Sequence, residues 1–297
     1  MAFEKIIGNN KIKQILEATI LTKKYLHSYL FTGKEGIGKK LFAIEFARYI
    51  LYGNESPETM GPGCKPVPIV SELDNHPDFK IIEPEGSSIK IEQIRMIQAK
   101  IAEKPIESTK KVYIIDEAEK MTIDAQNCLL KTLEEPPEYG IIILVCSNEN
   151  MLLSTIKSRC TKLTFSDIPK EELKNYIEEE MVDLADGSIG KALKFKENQE
   201  IYKNVRQVFE NIEKYDKIDY IKSADILYRS KDSIQEILDF ANVILLEYAK
   251  HDERYINCVS IVEKAKTRLK QNANFEMTID SLCFSLWEEI NENNNRC

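Results

Sequence analysis

Apolar runs that predict strands alternate with helix-like patterns over the first half of the chain. Ile12, Ile15, Leu16 and Ile20 recur at the spacing of one helix face, which predicts a helix over 11–24. Further helices are predicted over 41–50, 91–103, 122–134 and 151–158, and strands over 29–31, 78–82, 111–115, 140–146 and 161–165. Strands that alternate with helices predict a parallel sheet covered on both faces, which is the α/β class.

The pattern changes after Pro169, where the strand candidates end. Short helices are predicted over 170–180 and 185–197, and several longer amphipathic helices follow between about 200 and 290. Residues 53–77 are rich in Gly, Pro and polar side chains and are predicted to form an insertion. The predicted domains are an α/β domain over 1–166 that carries this insertion, a small helical domain over 167–200 and a helical C-terminal domain over 201–297.

Composition and charge narrow the classes of function. A net charge of -8 over 297 residues argues against tight binding of nucleic acid through a large basic face, although DNA contact within an assembly stays open. Seven scattered cysteines indicate a reducing compartment rather than a disulfide framework. No signal peptide is visible, and the longest apolar run, 141–146, is too short to span a bilayer. A soluble, cytoplasmic protein that does not enter a membrane is expected.

A glycine-rich loop follows the first predicted strand and opens a helix. Its sequence, GKEGIGKK over 33–40, fits the P-loop pattern G-x4-G-K. Gly33, Gly36 and Gly38 let backbone N–H groups turn towards a phosphate, and the helix N-terminus adds favourable partial charge. Lys39 is expected to reach the phosphates. We therefore predict a P-loop at this position.

The loop departs from the pattern at Lys40, where Ser or Thr is usual. The missing hydroxyl is a ligand of Mg²⁺, and an ammonium repels the metal that neutralises charge in phosphoryl transfer. Hydrolysis by this chain alone is therefore expected to be absent or very slow. Binding of ATP or ADP is left open and is expected to be weak.

A second acidic element supports the nucleotide-site interpretation. The run KVYIIDEAE over 111–119 is an apolar strand that ends in Asp116 and Glu117, which is the Walker B arrangement. In that arrangement Asp116 holds Mg²⁺ indirectly and Glu117 polarises a water molecule. Without the P-loop, the same pair would be interpreted as charges at a helix N-terminus.

These motifs resemble those of the AAA+ clamp-loader ATPases of bacterial DNA polymerase III, over residues 1 to about 200. The segments that carry the resemblance are HSYLFTG (27–33), NHPDF (75–79), IEQIR (91–95), AQNCLLKTLEEPP (125–137) and TIKSRC (155–160). The resemblance implies an AAA+ P-loop domain, a helical lid and a C-terminal collar that joins subunits. It also implies that Arg159 of the Ser-Arg-Cys motif projects into the ATP site of a neighbouring subunit, a role that suits a permanent, planar cation.

Two positions at which the sequence differs from the family's ATPase pattern distinguish between branches of this family. The motor branch (gamma/tau) carries a sensor arginine after Gly-Ser-x, where this chain has Gly190. The phosphate-sensing charge is therefore missing in cis, unless Lys191 substitutes for it. Together with Lys40, this leaves two damaged ATPase positions beside an intact Arg159, a combination that resembles the delta-prime branch. The resemblance implies gamma/tau and delta subunits as partners, and contact with the sliding clamp and primed DNA within the DNA polymerase III holoenzyme.

Two alternative functions remain open. The chain could be the ATPase motor itself, which Lys40 and Gly190 disfavour. It could be an unrelated P-loop enzyme such as a small-molecule kinase, which the Ser-Arg-Cys and Leu-Glu-Glu-Pro-Pro motifs disfavour. Polymerase chemistry is not expected, because no separate set of metal-binding carboxylates is visible.

The family's zinc module is degenerate in this sequence. Where the resemblance places three cysteine ligands, the chain has Cys64, Val67 and Val70, and the first ligand's position holds Glu55. Valine has no donor atom, and a structural zinc ion needs four ligands. Cys64 is therefore a lone remnant and zinc is not expected. The resemblance makes His76 a structural residue.

Overall fold

A five-stranded parallel sheet forms the centre of the first half of the chain. The computed structural model describes residues 3–4, 6–53, 73 and 75–291. The strands are β1 (Ser28–Thr32), β2 (Phe79–Ile82), β3 (Lys111–Ile115), β4 (Gly140–Cys146) and β5 (Thr161–Thr164). They lie in the order β2-β3-β4-β1-β5, and every neighbouring pair is parallel. The predicted α/β class with a parallel sheet is confirmed.

Helices cover both faces of this sheet. They are α1 (Asn10–Thr22), α2 (Lys39–Tyr52), α3 (Ile91–Ile101), α4 (Ile123–Glu134) and α5 (Ser154–Lys157). The side chains of β4 alternate between two cores: Ile143 packs in the core that contains α1 and α2, and Leu144 packs in the core that contains α3 and α4. Burial on both faces explains why β4 is a continuous apolar run rather than an alternating one.

The remaining described elements are helical. The α-helices among them are α6 (Lys170–Leu173), α7 (Glu179–Ala185), α8 (Ile189–Glu197), α9 (Gln199–Glu210), α10 (Lys217–Ser223), α11 (Asp225–Arg229), α12 (Ile234–Ala249), α13 (Arg254–Lys270) and α14 (Phe275–Asn291). Short 3-10 helices are formed by Ala118–Lys120, Glu149–Met151 and Lys231–Ser233. None of the helices in the described part of the chain has both the length and the apolar content of a bilayer span.

The chain divides into two compact units. The first comprises Met1–Asn175 and Ala185–Gly190, and the second comprises Tyr176–Leu184 and Lys191–Cys297. The first unit therefore contains the sheet, and the second contains its own core of packed helices, with Phe240 and Leu286 fully buried. The three-domain division with boundaries at 166 and 200 stays a prediction.

Two helix predictions beyond the sheet are wrong in their extent. The helix predicted over 170–180 ends at Leu173, and the next one starts at Glu179. The helix predicted over 185–197 starts only at Ile189. Asp186 and Gly187 have φ angles of 45° and 75°, and this left-handed backbone ends α7 before α8 begins.

Candidate phosphate-binding site

The carboxyl ends of four strands bring the candidate side chains together. In a parallel sheet all strands end at the same edge, and ligands of α/β proteins bind outside that edge. Thr32 of β1 pairs with Cys146 of β4, and the residue after each of them, Gly33 and Ser147, leaves the sheet there. The ends of β2 and β3 are likewise paired, which places Glu83 and Asp116 at this edge.

Lys39 lies inside the glycine-rich loop and is held by the loop itself. Its Nζ donates to the carbonyl oxygens of Gly33 and Lys34, at 2.7 and 2.6 Å, and to Oγ of Ser147 at 3.0 Å. The residue is only 5% exposed. Burial lowers the pKa of Lys39, and the carboxylate of Glu119 partly offsets this effect. The loop backbone is left-handed at two of its glycines, with φ angles of 76° at Gly36 and 95° at Gly38.

Lys40 extends from the first turn of α2 and binds two carboxylates. Its Nζ lies 2.9 Å from Oδ2 of Asp116 and also donates to Oε1 of Glu83. Burial opposes protonation, but these two hydrogen bonds outweigh it and raise the pKa of Lys40 above its ordinary value. The structure therefore brings the predicted Lys40 and Asp116 into direct contact.

A magnesium ion does not fit this arrangement of residues. In a P-loop site the metal is held by a hydroxyl at the position of Lys40 and by the acidic residue at the end of the strand. Here the ammonium of Lys40 contributes no ligand and is paired with the carboxylate of Asp116. A divalent cation would have to displace this ion pair and would remain next to the displaced ammonium.

Glu117, the second predicted acidic residue, is turned towards the surface. It has a left-handed φ of 49°, and its carboxylate pairs with Lys120. Its backbone N–H donates to Oδ1 of Asp116 at 3.0 Å, which helps to orient the Asp116 carboxylate. The water-polarising role of Glu117 stays a prediction.

Three further polar residues in the site are absent from the sequence-based prediction: Glu83, Glu119 and Ser147. Glu119 accepts from the backbone N–H of Ser147 at 3.1 Å, and its other carboxylate oxygen is buried without a hydrogen-bond partner among the described residues. Burial and the neighbouring Glu119 raise the pKa of Cys146 to about 12. Glu83 and Ser147 each follow a strand directly, so the position after every parallel strand was the signal that could have identified them.

The start of α8 lies against the glycine-rich loop. The backbone N–H of Gly190 donates to the carbonyl oxygen of Gly36 at 2.8 Å. On the same side, Nζ of Lys34 lies 2.8 Å from Asp167 and 3.1 Å from Asp186. A Cβ atom at Gly190 would lie 3.0 Å from the same carbonyl oxygen, so this close approach depends on glycine. Gly190, which stands where the motor branch has its sensor arginine, therefore contacts the backbone of the glycine-rich loop.

Arg159 lies at the amino ends of the strands, whereas the glycine-rich loop lies at their carboxyl ends. It precedes β5, and its carbonyl oxygen accepts from Oγ of Ser28, the first residue of β1, at 2.6 Å. The five residues of β1 span about 15 Å at the usual rise of a strand, and the loop begins at the other end. The Arg159 side chain is 35% exposed, and its guanidinium pairs with Oε1 of Glu134 at 2.7 Å.

Two residues, Cys64 and His76, bear on metal binding. Cys64 lies outside the described residues, so the prediction for it stays a prediction. His76 is buried, and its Nδ1 accepts the backbone N–H of Asp78 at 3.0 Å. Within the part of the chain that the structure describes, no group of three or more His, Cys, Asp or Glu residues is arranged to hold a metal ion.

Comparisons with known proteins agree on one family. The family model described as DNA polymerase III, delta subunit, matches residues 8–169. The delta' subunit of DNA polymerase III from Bacillus subtilis is 36% identical over 174 residues, which cover 58% of this chain and 52% of that protein. The tau subunit of DNA polymerase III from Bacillus subtilis is 33% identical over 192 residues, which cover 63% of this chain and 34% of that protein. This chain thus spans about half, or less, of the length of these curated relatives.

A solved structure shares the fold. The DNA polymerase III gamma subunit-related protein from Thermotoga maritima superposes with a TM-score of 0.55 and 18% sequence identity, over 92% of this chain and 99% of that chain. At this level of identity the likeness shows the fold alone. It is consistent with the parallel sheet and the helical second half described above.

Proposed function

We propose a clamp-loader role for this chain, which belongs to the protein family described as DNA polymerase III, delta subunit. Within that family we assign it to the delta-prime branch: a subunit that does not hydrolyse ATP itself and helps to load a sliding clamp on primed DNA. Its partners in this role are gamma/tau and delta subunits. The similarity to both a delta' and a tau subunit leaves the branch to be decided by the site residues.

The position of Arg159 carries the proposal. Its guanidinium is at the end of the sheet remote from the chain's own loop, so it does not reach a phosphate chain bound in that loop. Arginine stabilises the charge that develops during phosphoryl transfer, and it can do so in trans. In the chain's own glycine-rich loop, in contrast, the ammonium of Lys40 is paired with Asp116, the carboxylate that normally serves the metal. These two observations favour a subunit that serves its neighbour's ATP site.

The ion pair between Arg159 and Glu134 suggests which conformation the Arg159 side chain has before the subunits assemble. Both residues lie in the motifs that carry the family resemblance, and their side chains are 35% and 50% exposed. An exposed ion pair of this kind is worth less than about 1 kcal/mol. A phosphate chain with several negative charges therefore competes with Glu134 for the guanidinium at little cost.

Replacement of Arg159 in an assembled loader tests this role. We expect Arg159→Ala to leave assembly with the other subunits intact and to lower ATP turnover of the loader at least several-fold. A trans-acting arginine contributes ~10³-fold or more at the site that it serves, and turnover at the other sites of the loader limits the total fall. Turnover is measured with saturating primed DNA and clamp, and assembly is measured by gel filtration.

Two variants make this experiment specific. Arg159→Lys keeps the charge but loses the planar donor set, and we expect it to behave like the alanine variant. Lys162→Ala removes a nearby cation that pairs with Glu149 on the same chain at 2.6 Å, and we expect it to retain full turnover. Unchanged turnover in Arg159→Ala would contradict the assignment. Steady ATP turnover by the isolated chain, lost in Lys39→Ala, would favour the motor branch instead.

A further inference from the structure

Lys39 and Lys40, two of the three lysines in the glycine-rich loop, use their donors differently. A lysine ammonium has three N–H donors. All three donors of Lys39 are taken by Gly33, Lys34 and Ser147. Two donors of Lys40 are taken by Asp116 and Glu83, and among the described residues no further partner lies within hydrogen-bond distance. Of these two lysines, Lys40 is therefore the one with a remaining donor.

The position of Lys40 is the one at which a P-loop site holds its metal. The ammonium bridges the first turn of α2 and the carboxylate that follows β3, and its side chain is 40% exposed. In a P-loop with a hydroxyl at position 40, that residue and the acidic residue after β3 would hold the metal, and the metal would supply positive charge to a phosphate oxygen. The free donor of Lys40 can contact a phosphate oxygen without any metal.

We propose that Lys40 is a tethered cation that replaces the metal ion, so that the loop binds a diphosphate group in the absence of Mg²⁺. The ligand is the diphosphate of a nucleotide or inorganic pyrophosphate itself. The ammonium carries one positive charge where the metal carries two, and Asp116 and Glu83 remain beside it. A triphosphate carries more negative charge than a diphosphate, and the single charge of the Lys40 ammonium neutralises less of it than a divalent metal ion would, so a diphosphate binds more tightly than a triphosphate.

This inference concerns the loop that the proposed function treats as non-hydrolysing, and it rests on that function. Phosphoryl transfer needs strong neutralisation of charge on the transferred group. A single ammonium holds a diphosphate but does not supply that neutralisation. Metal-free binding and absent hydrolysis are thus two results of the same substitution of a hydroxyl by Lys40.

Calorimetric titration of the isolated full chain tests the proposal. ADP and pyrophosphate are titrated separately, each in EDTA and in excess Mg²⁺. We expect the wild-type chain to bind at least one probe, and to bind it at least as tightly in EDTA as in Mg²⁺. Binding of both probes identifies the diphosphate group as sufficient, and binding of ADP alone identifies a nucleotide as the ligand; both results support the role of Lys40.

The variants at position 40 make the test specific. Lys40→Ser is expected to weaken binding in EDTA about tenfold or more, which is the effect of losing one charge-assisted hydrogen bond, and Mg²⁺ is expected to restore it. Lys40→Arg keeps a cation and should retain metal-free binding. Lys24→Ser removes an exposed lysine outside the loop and should change nothing. Thermal unfolding of each variant establishes that it is folded.

Two results would overturn the inference. A wild-type chain that binds neither probe has no diphosphate site, and one that binds only with Mg²⁺ uses a metal ion and not Lys40. Both results leave the role proposed for Arg159 standing, because that role is measured as ATP turnover in the assembled loader. Conversely, unchanged turnover in Arg159→Ala leaves the titration results intact, so the two failures are distinguishable.

Discussion

At the scale of single residues, Asp78 connects two distant segments. Its carboxylate is fully buried and accepts from the backbone N–H groups of Ile106, Glu107 and Ser108, at 2.8 to 3.0 Å. Burial opposes ionisation, but the N–H groups outweigh it and hold the pKa of Asp78 below its ordinary value. Since Asp78 directly precedes β2, this contact fixes the segment between α3 and β3 beside the start of that strand.

Asp78→Asn is expected to lower the free energy of unfolding by about 3 kcal/mol at neutral pH, because an amide oxygen is a weaker acceptor and the new NH₂ group faces backbone donors. A depressed pKa in the folded state means that this stabilisation is complete above the ordinary carboxyl pKa of 3.8 and is lost as the pH falls further through the folded-state value. The difference between wild type and variant should therefore shrink in acid. Urea unfolding followed by far-UV circular dichroism across this pH range measures it.

A matched variant separates this contact from a general effect of charge. Asp124→Asn removes an exposed carboxylate in the first turn of α4, which is worth below about 1 kcal/mol. An equal loss of stability in both variants, or a constant difference between Asp78→Asn and wild type down to the acid limb, would show that the backbone contacts of Asp78 do not stabilise the fold.

At the scale of elements, the segment between α7 and α8 is shaped by close contacts. Gly187 has a left-handed φ of 75°, and a Cβ atom there would lie 2.5 Å from Cβ of Asp167. Its carbonyl oxygen accepts from the backbone N–H of Ile168 at 2.9 Å. Asp167 in turn pairs with Lys34 of the glycine-rich loop. The backbone at Gly187 therefore sets the distance between the start of α8 and the loop.

Gly187→Ala is expected to destabilise the chain by about 2 to 4 kcal/mol, the sum of left-handed strain and overpacking against Asp167. Gly86→Ala is the control, because Gly86 has nearly the same φ, 74°, and no atom within 4 Å of its Cβ position. It should cost only the backbone strain, about 1 kcal/mol. Chemical denaturation of both variants gives the difference. Equal losses would mean that the contact with Asp167 relaxes without cost.

Strands and helices differ in how well the sequence predicts them. The predicted bounds of β3 and β4 agree with the structure, because strands buried on both faces are continuous apolar runs with clear ends. The helices after Pro169 were predicted with wrong bounds. The helix predicted over 185–197 starts late because of the left-handed backbone at Asp186 and Gly187, and Asp186 is held by an ion pair with Lys34, a residue distant in sequence.

The candidate site was predicted only in part, because some of its contacts join residues that are distant in sequence. Motif spacing identifies Lys39, Lys40 and Asp116 as candidates, and the structure brings Lys40 and Asp116 into contact. Their partners Glu83 and Ser147 belong to no motif, and they join the site only because their strands end beside β3 and β1. A local pattern identifies residues within one loop, whereas the pairing of strands decides which other loops meet it.

At the scale of the whole molecule, each unit has a core of its own. The sheet unit buries residues such as Leu30 of β1 between its helices, and the helical unit buries Leu286 of α14. Units with separate cores tend to unfold separately. The sequence contains one tryptophan, Trp287, which lies in the helical unit and donates from its Nε1 to the carbonyl oxygen of Tyr215 at 2.9 Å. Its fluorescence therefore reports on that unit alone.

Substitutions in the two cores test whether the units unfold independently. Leu286→Ala removes a fully buried side chain, should cost about 2 to 5 kcal/mol, and should move the Trp287 fluorescence transition to lower urea. Leu30→Ala is equally buried and should leave that transition in place. Leu246→Ala, at a position 51% exposed in the helical unit, should shift it by less than about 0.5 kcal/mol. If Leu30→Ala shifts the Trp287 transition as far as Leu286→Ala does, the two units unfold as one, because the fluorescence of Trp287 then reports damage in a core that it does not contact.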